Sequence, residues 1–219
     1  MRKGRGKLMK NLVVCVSRTC GSGGSSIAKL LANKLGLPLY DRNLLSLAAE
    51  TSGINEDMFM QADEKLRSSM LFKVARKVYL GEKESADNGT SDRSLFNYQA
   101  KVLMELAETG SFVVVGRCAD YVLRDHPNLV RVFITAEKKN CISREADRNG
   151  ITKKEAALLV DKVNRERSEY YAYNTGLVWS HADNYDLCIN SAVFSYEDCA
   201  EVIYNYLITR EKYRETVLK

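Results

Sequence analysis

The chain has 219 residues, of which 45% are apolar and 28% are charged, and its formal net charge is +5. This length and composition fit one globular domain of the three-layer kind. Because no apolar run approaches the roughly 18 residues that span a bilayer, and no signal-peptide stretch follows the basic N-terminus, we expect a cytoplasmic protein without a membrane partner.

The distribution of charged, cysteine and histidine residues disfavours several classes of function. Five of the first ten residues are Lys or Arg. We interpret them as a solvated tail; contact with a nucleic acid or a membrane is the alternative, and the acidic balance elsewhere disfavours nucleic-acid binding. The six cysteines show no zinc spacing, and we expect reduced thiols. The two histidines, His126 and His181, are isolated, so a histidine metal cluster or a Ser-His-Asp triad has little support.

The first predicted elements are a strand, a glycine-rich turn and a helix. Residues 12–16 form a β-branched apolar run, and residues 18–24 contain three glycines. An amphipathic helix begins near Ser25 or Ser26 and ends at Gly36. Glycines let a backbone approach an anion closely, and the first N–H groups of a helix point toward it. We therefore expect phosphate to bind at this loop.

The rest of the chain alternates between strands and helices. Further strands are predicted at residues 37–41, 112–115, 128–136 and 186–191. Helices are predicted at residues 42–51, 56–80, 95–109, 117–124, 137–149 and 195–209, with another that opens at a Thr152–Glu155 capping box and is interrupted over residues 170–179. Residues 81–93 are polar and predict a loop. This alternation predicts an α/β fold, with about five parallel strands covered by helices on both faces.

The glycine loop matches the phosphate-loop pattern G-x-x-x-x-G-K-[ST] only in part. When Gly23 takes the second glycine position, Ser25 takes the hydroxyl position. Gly24 then stands at the lysine position and Arg18 at the first glycine position. On the loop alone, a strand-to-helix turn without a ligand stays an open alternative. Asp41, at the end of the second strand, lies where open α/β sheets bind ligands, and it fits equally well as the N-cap of the next helix.

Four stretches together resemble nucleoside monophosphate kinases, and most closely their cytidylate kinase-like group. They are CVSRTCGSGGSSIAKLLANKLGLPLYD, VVVGRCADYVL, DKVNRERSEYYAYNTGLVW and NYDLCINSA. The resemblance extends from residue 11 to about residue 207. It implies one P-loop kinase domain of three layers, with its core at residues 11–41, 94–150 and 184–209. It also implies a helical acceptor-side insertion at residues 42–93 and a lid at residues 151–180.

The resemblance implies ATP-dependent phosphoryl transfer to a nucleoside monophosphate such as CMP or dCMP, with ATP and Mg²⁺ as cofactors. Residues of the loop would bind the β-phosphate of ATP, with Ser25 close to Mg²⁺: Gly21, Ser22, Gly23, Gly24, Ser25 and Ser26. Three residues would bind the acceptor: Asp41, Arg117 and Asp120. A cage of arginines would close over the phosphates: Arg18, Arg117, Arg144, Arg148, Arg165 and Arg167. For each arginine, a solvated surface charge is the alternative.

The missing lysine leads to a hypothesis and to a second interpretation. We hypothesise that Arg18 supplies the missing positive charge. Because Val115 stands where the family has an acid before Gly-Arg, we also hypothesise that Asp120 or Asp41 provides the acid near magnesium. The second interpretation is a nucleotide-binding regulator with the kinase fold and little activity. No pattern decides the oligomeric state, because Tyr204 and Tyr206 of the last helix fit either the core or an interface.

Overall fold

The computed structural model describes residues 10–41 and 92–217. Within them the sheet has five strands in the order β2-β3-β1-β4-β5, and every neighbouring pair is parallel. The strands are β1 (Val13–Arg18), β2 (Leu39–Tyr40), β3 (Phe112–Val115), β4 (Leu129–Thr135) and β5 (Leu187–Asn190). The helices predicted at residues 42–51 and 56–80, and nearly all of the predicted acceptor-side insertion, lie outside the described residues.

Six α-helices and one 3-10 turn accompany the strands in the described part of the chain. The helices are α1 (Gly24–Leu35), α2 (Asp92–Thr109), α3 (Ala119–Val122), α4 (Lys138–Asn149), α5 (Lys153–Thr175) and α6 (Tyr196–Val217), and the turn is Ala182–Asn184. None of these helices combines the length and the apolar composition that a bilayer crossing requires.

The two faces of the sheet bury separate cores, because alternate strand residues point to opposite sides. On one face, α2 and α3 pack over residues that include Cys15 and Val114. On the other, α1 and α6 pack over residues that include Val14, Val16 and Val113. All five of these strand residues are buried, as a parallel sheet covered on both faces requires. The predicted three-layer α/β fold is confirmed.

Local sequence signals account for several helix ends. Gly36 and Gly150 adopt left-handed conformations (φ of 69° and 63°) at the C-termini of α1 and α4, as predicted. The capping box at the start of α5 is also present: Thr152 N–H donates to Oε2 of Glu155 at 2.9 Å, and Glu155 N–H donates to Oγ1 of Thr152 at 3.3 Å.

The predicted interruption over residues 170–179 was wrong for its first half. Helix α5 continues to Thr175 and ends at Gly176, whose φ is 72°. Tyr171 is 3% exposed and packs in an aromatic cluster with Phe133 and Tyr185. This burial stabilises the helix through residues whose own helix propensity is moderate. The last helix also extends beyond its predicted end, to Val217 instead of residue 209.

Candidate active site

The loop between β1 and α1 contains two glycines that no other residue can replace without strain. Gly21 and Gly23 have φ values of 74° and 77°, in the left-handed region. A Cβ on Gly21 would lie 2.5 Å from the carbonyl oxygen of Cys141 in α4. A Cβ on Gly23 would overlap the ring of Tyr196 in α6. The loop is therefore packed closely between the starts of two helices.

Four consecutive backbone donors are available where the loop becomes a helix. The helical ladder begins with Ile27 N–H donating to the Gly23 carbonyl at 3.0 Å. Gly23 is the N-cap residue and makes no side-chain capping bond. Among the hydrogen bonds of the described residues, none is donated by the N–H groups of Gly23, Gly24, Ser25 or Ser26. Such donors, at the positive end of the helix dipole, can bind an anion.

These donors lie beside a cleft with a volume of about 260 Å³. Its walls come from the loop, from the C-terminal half of α4 and from the middle of α5. The residues that line it are Arg18, Thr19, Cys20, Gly21, Gly23, Gly24, Ser25, Ser26, Glu145, Arg148, Asn149, Leu159, Val163 and Arg167. The cleft therefore brings together three of the predicted arginines and five of the six predicted loop residues. The sixth loop residue, Ser22, is fully buried and does not line the cleft.

The Arg18 side chain extends from the first turn of α1 to the end of β3. A Cβ on Gly24 would overlap the Cβ of Arg18, so the start of the Arg18 side chain packs directly against the first turn of α1. A Cβ on Gly116 would lie 2.5 Å from Nη1 of Arg18, so the guanidinium reaches the end of β3. Its charge lies at the carboxyl edge of the sheet, where open α/β folds bind ligands.

Helix α5 is attached to the loop by two hydrogen bonds. Nη1 of Arg167 donates to the Arg18 carbonyl at 2.9 Å, and the Cys20 N–H donates to Oδ1 of Asn164 at 2.7 Å. Asn164 was not predicted as a site residue, although its position three residues before Arg167 places both on one face of the helix. Arg165 is exposed and does not line the cleft.

Helix α4 contributes an ion pair to the cleft. Nη1 of Arg148 lies 3.0 Å from Oε1 of Glu145, whose residue is 5% exposed. Asn149 also donates to this carboxylate, at 3.1 Å. Glu145 was not predicted as a site residue, although its spacing of four from Cys141, on the buried face, indicates its orientation.

Arg144 is bound to main-chain and hydroxyl groups rather than facing the cleft. Its Nη2 donates to the Ser191 carbonyl at 2.9 Å, and its Nη1 donates to Oγ of Ser191 at 3.1 Å and to the Gly21 carbonyl at 3.4 Å. The guanidinium carbon lies 5.2 Å from the centre of the Tyr196 ring. Arg144 does not line the cleft, so the structure separates it from Arg148 despite their shared helix.

The residues predicted to bind the acceptor follow β2 and β3. Gly116, Arg117 and Cys118 are three consecutive left-handed residues, with φ values of 74°, 59° and 55°. Such conformations cost about 1–3 kcal/mol each in residues other than glycine, and they cluster at functional sites. The guanidinium of Arg117 lies 5.8 Å from the centre of the Tyr170 ring. Asp41 is half-buried directly after β2.

Asp120 is buried below this turn rather than in the cleft. It is 4% exposed, and the Tyr171 hydroxyl donates to its Oδ2 at 2.7 Å. Burial raises the pKa of this carboxyl, while the hydrogen bond from Tyr171 opposes that shift. The side chain does not line the cleft beside the loop. Its observed contact joins the turn after β3 to helix α5.

The sequence of this chain matches a known protein family. Residues 13–193 match the model of the cytidylate kinase-like family. The chain belongs to this family. The predicted family and fold are thereby confirmed, and both support a nucleotide kinase with a nucleotide-binding P-loop fold.

One named relative and two solved structures are similar to this chain. A protein named cytidylate kinase in Ignicoccus hospitalis is 25% identical over 198 residues, which cover 90% of this chain and 99% of that protein. Among solved structures, an uncharacterized protein from Eubacterium ventriosum is 24% identical with a TM-score of 0.69, covering 90% of this chain and 98% of its own. A gluconokinase from Sinorhizobium meliloti is 14% identical with a TM-score of 0.52, covering 93% and 97%. The two structures share the fold of this chain.

Proposed function

We propose that this protein transfers the γ-phosphoryl group of ATP to a nucleoside monophosphate, with CMP or dCMP as the preferred acceptor. The single observation that supports it most is the row of N–H donors from Gly23 to Ser26 beside a cleft lined by Arg18, Arg148 and Arg167. Backbone donors and guanidinium groups both match the oxygens of a polyphosphate. In-line phosphoryl transfer needs no nucleophilic side chain, so such groups are sufficient machinery.

The residues present fit ATP and Mg²⁺. Ser25 is exposed, lines the cleft and offers the hydroxyl that P-loop kinases place on the metal. Bound Mg²⁺ supplies neutralising charge to the phosphate oxygens. Glu145 is the one carboxylate among the described residues that line the cleft. Its ion pair with Arg148 holds that guanidinium beside the loop, where it would orient the phosphates.

Arg18 takes the role of the absent lysine in this proposal. Its side chain runs from the first turn of α1 to the end of β3, so its guanidinium lies at the Gly116 turn, on the acceptor side of the loop. The acceptor would bind beyond that turn, next to Arg117 and Asp41 at the ends of β3 and β2. The choice of CMP or dCMP is supported by the relative named cytidylate kinase.

A coupled assay of ADP release tests this proposal. CMP, dCMP, UMP and AMP are compared as acceptors with ATP and Mg²⁺, and CMP or dCMP is expected to give the highest kcat/KM. Arg18→Ala keeps the Cβ that packs on Gly24 and removes only the charged part. We expect Arg18→Ala to lower kcat/KM about 100-fold, which is the typical effect of removing one preorganised hydrogen-bond donor from an active site. Arg124→Ala, on an exposed side chain after α3, is the control and should leave the rate unchanged.

One alternative is a nucleotide-binding regulator with little activity, which the glycine at position 24 favours because phosphate-loop kinases carry a lysine there. The assay separates the two functions. If ATP raises Tm while no acceptor is phosphorylated, the regulator is supported. If neither stabilisation nor turnover occurs, both are wrong. An Arg18→Ala protein with the full transfer rate would remove Arg18 from the mechanism.

We further propose a cytoplasmic location. All six cysteines fall within the described residues and none is in a disulfide there. Reduced thiols are typical of that compartment.

A further inference from the structure

Ser191, directly after β5, is fully buried, and its hydroxyl lies against the glycine loop. Oγ donates to the Ser22 carbonyl at 2.5 Å and accepts from Nη1 of Arg144 at 3.1 Å. A guanidinium can only donate, so the Ser191 proton is committed to Ser22. The Ser191 backbone is fixed as well. Its N–H donates to the Thr135 carbonyl at 2.8 Å, and its carbonyl accepts from Nη2 of Arg144 at 2.9 Å.

This contact determines the direction of one donor in the loop. In a trans peptide the carbonyl and the N–H of the same plane point to opposite sides. The described residues contain no cis peptide. Because the carbonyl of Ser22 is held toward Ser191, the N–H of Gly23 points to the opposite side, away from β5. Gly23 lines the cleft, and no acceptor among the described residues takes its N–H.

The preceding peptide is fixed from both sides. The Gly21 carbonyl accepts from Arg144 at 3.4 Å, and the Ser22 N–H donates to the Thr19 carbonyl at 3.3 Å. Glycine backbones rotate readily, and Gly21 and Gly23 flank Ser22. Without Ser191, no hydrogen bond within the described residues would hold the carbonyl between Ser22 and Gly23, and the Gly23 N–H would no longer be fixed in one direction.

We propose that Ser191 is a positioning residue that orients the Gly23 N–H toward the nucleotide phosphate, and that Arg144 holds Ser191 in place. This inference rests on the proposed function, because it assigns the bound anion to a polyphosphate. It gives Arg144 a role different from the predicted phosphate cage. A loop without a lysine depends more heavily on donors that are oriented before the ligand binds.

The chain offers a matched control for the loss of a hydroxyl. Oγ of Ser111 accepts from the Leu12 N–H at 2.8 Å, at the opposite, amino end of the sheet. Ser111→Ala therefore removes one hydroxyl-to-backbone bond without contacting the loop. Arg144→Lys is a second variant, which keeps the positive charge and loses the fork that binds Ser191.

The test measures inorganic pyrophosphate binding to the ¹⁵N-labelled full chain, following the amide signal of Gly23. We expect pyrophosphate to shift this signal in the wild-type protein and in Ser111→Ala. In Ser191→Ala and Arg144→Lys, we expect the Kd for pyrophosphate to rise at least about 10-fold and the shift of Gly23 to diminish. In the kinase assay, we expect Ser191→Ala and Arg144→Lys to have a higher KM for ATP than Ser111→Ala.

Three results would overturn the proposal: wild-type protein that binds no pyrophosphate, Ser191→Ala with an unchanged Kd and Gly23 shift, or equal weakening by Ser111→Ala. If Ser191→Ala fails to fold, the comparison of Arg144→Lys with wild type decides. Pyrophosphate binding that depends on Ser191 supports the positioning role even when no acceptor is phosphorylated. Failure of the proposed kinase activity is therefore distinguishable from failure of this inference.

Discussion

The Cβ of Arg18 occupies the space that a side chain on Gly24 would need. Gly24 stands where the phosphate-loop pattern has its lysine. Beyond Arg18, the Cβ of Ile134 lies 3.3 Å from the position of a Cβ on Gly24, so the neighbourhood has little room to relax. Arginine at position 18 and lysine at position 24 are therefore alternatives that this loop cannot combine without moving β1 or α1.

Gly24→Ala tests this steric relationship. In an ordinary helix, replacing glycine by alanine stabilises by about 1 kcal/mol. Here we expect a loss of about 1–3 kcal/mol, because the new methyl group overpacks against Arg18. Urea unfolding measures the change. In a double-mutant cycle, Arg18→Gly removes the opposing Cβ and should relieve most of the loss. A stabilised Gly24→Ala protein would contradict the steric conflict between positions 18 and 24.

Arg165 and Arg167 should differ sharply in their effect on phosphoryl transfer. Two residues apart on a helix they point about 200° away from each other. Arg167 binds the Arg18 carbonyl, while Arg165 is exposed. We expect Arg167→Ala to lower kcat/KM at least about 10-fold and Arg165→Ala to change it less than about twofold. Equal losses in the two variants would mean that α5 moves far from its present position during the reaction.

The buried pair of Asp120 and Tyr171 predicts a pH-dependent stability. Among the described residues, Tyr171 is the one side-chain donor to this carboxylate, so Tyr171→Phe should cost about 1–3 kcal/mol. Burial raises the folded-state pKa of Asp120 above its ordinary value of 3.8. The stability that Asp120 contributes is therefore complete below pH 3.8 and is lost as the pH rises through the folded-state pKa. Loss of the Tyr171 bond raises that pKa further.

We accordingly expect the destabilisation by Tyr171→Phe to be greater at pH 8 than at pH 4, measured by urea unfolding at both values. Asp120→Asn keeps an acceptor and removes the titration, so Tyr171→Phe in that background should lose its pH dependence. Other titratable groups interact electrostatically with Asp120: Cys15, Cys118, Arg131 and Tyr185. If the effect of Tyr171→Phe still depends on pH in the Asp120→Asn background, one of these other groups is responsible for that dependence.

Thiol chemistry should distinguish one cysteine from the other five. Cys188 is exposed, and the others are buried. Burial raises the pKa of all six thiols, to about 12 for Cys118, so access to the reagent is what distinguishes Cys188. With a colourimetric disulfide reagent, we expect one fast thiol per native chain and all six after denaturation. Cys188→Ser should remove the fast phase. A fast thiol that remains in this variant would show that one of the buried cysteines becomes accessible in the native protein.

The sequence predicted those features that depend on neighbouring residues. The glycine loop, the glycine ends of α1 and α4 and the Thr152–Glu155 capping box are local, so their residue types determine them. The interruption predicted before residue 175 failed because Tyr171 gains its stability from a distant aromatic cluster. Local propensity carries no information about such packing.

Within the candidate site, residue types were more predictable than their partners. The sequence indicated an arginine-rich phosphate site, and Arg18, Arg148 and Arg167 do line the cleft. It did not separate them from Arg144, whose contacts with Ser191 join residues 47 positions apart. The overlap of Arg18 with Gly24 depends on the angle between β1 and α1, which no single-sequence pattern specifies. The catalytic roles of these residues stay predictions.

Helix α5 contacts both halves of the site along one short length. Asn164 and Arg167 bind the loop backbone, and Tyr171, about 10 Å further along the helix axis than Asn164, binds the carboxylate below the Gly116–Arg117 turn. A displacement of this helix at one contact therefore acts on the other. If ATP and the acceptor occupy these two places, we expect their affinities to be linked through α5, and such linkage is reciprocal, so each ligand would change the affinity for the other by the same factor.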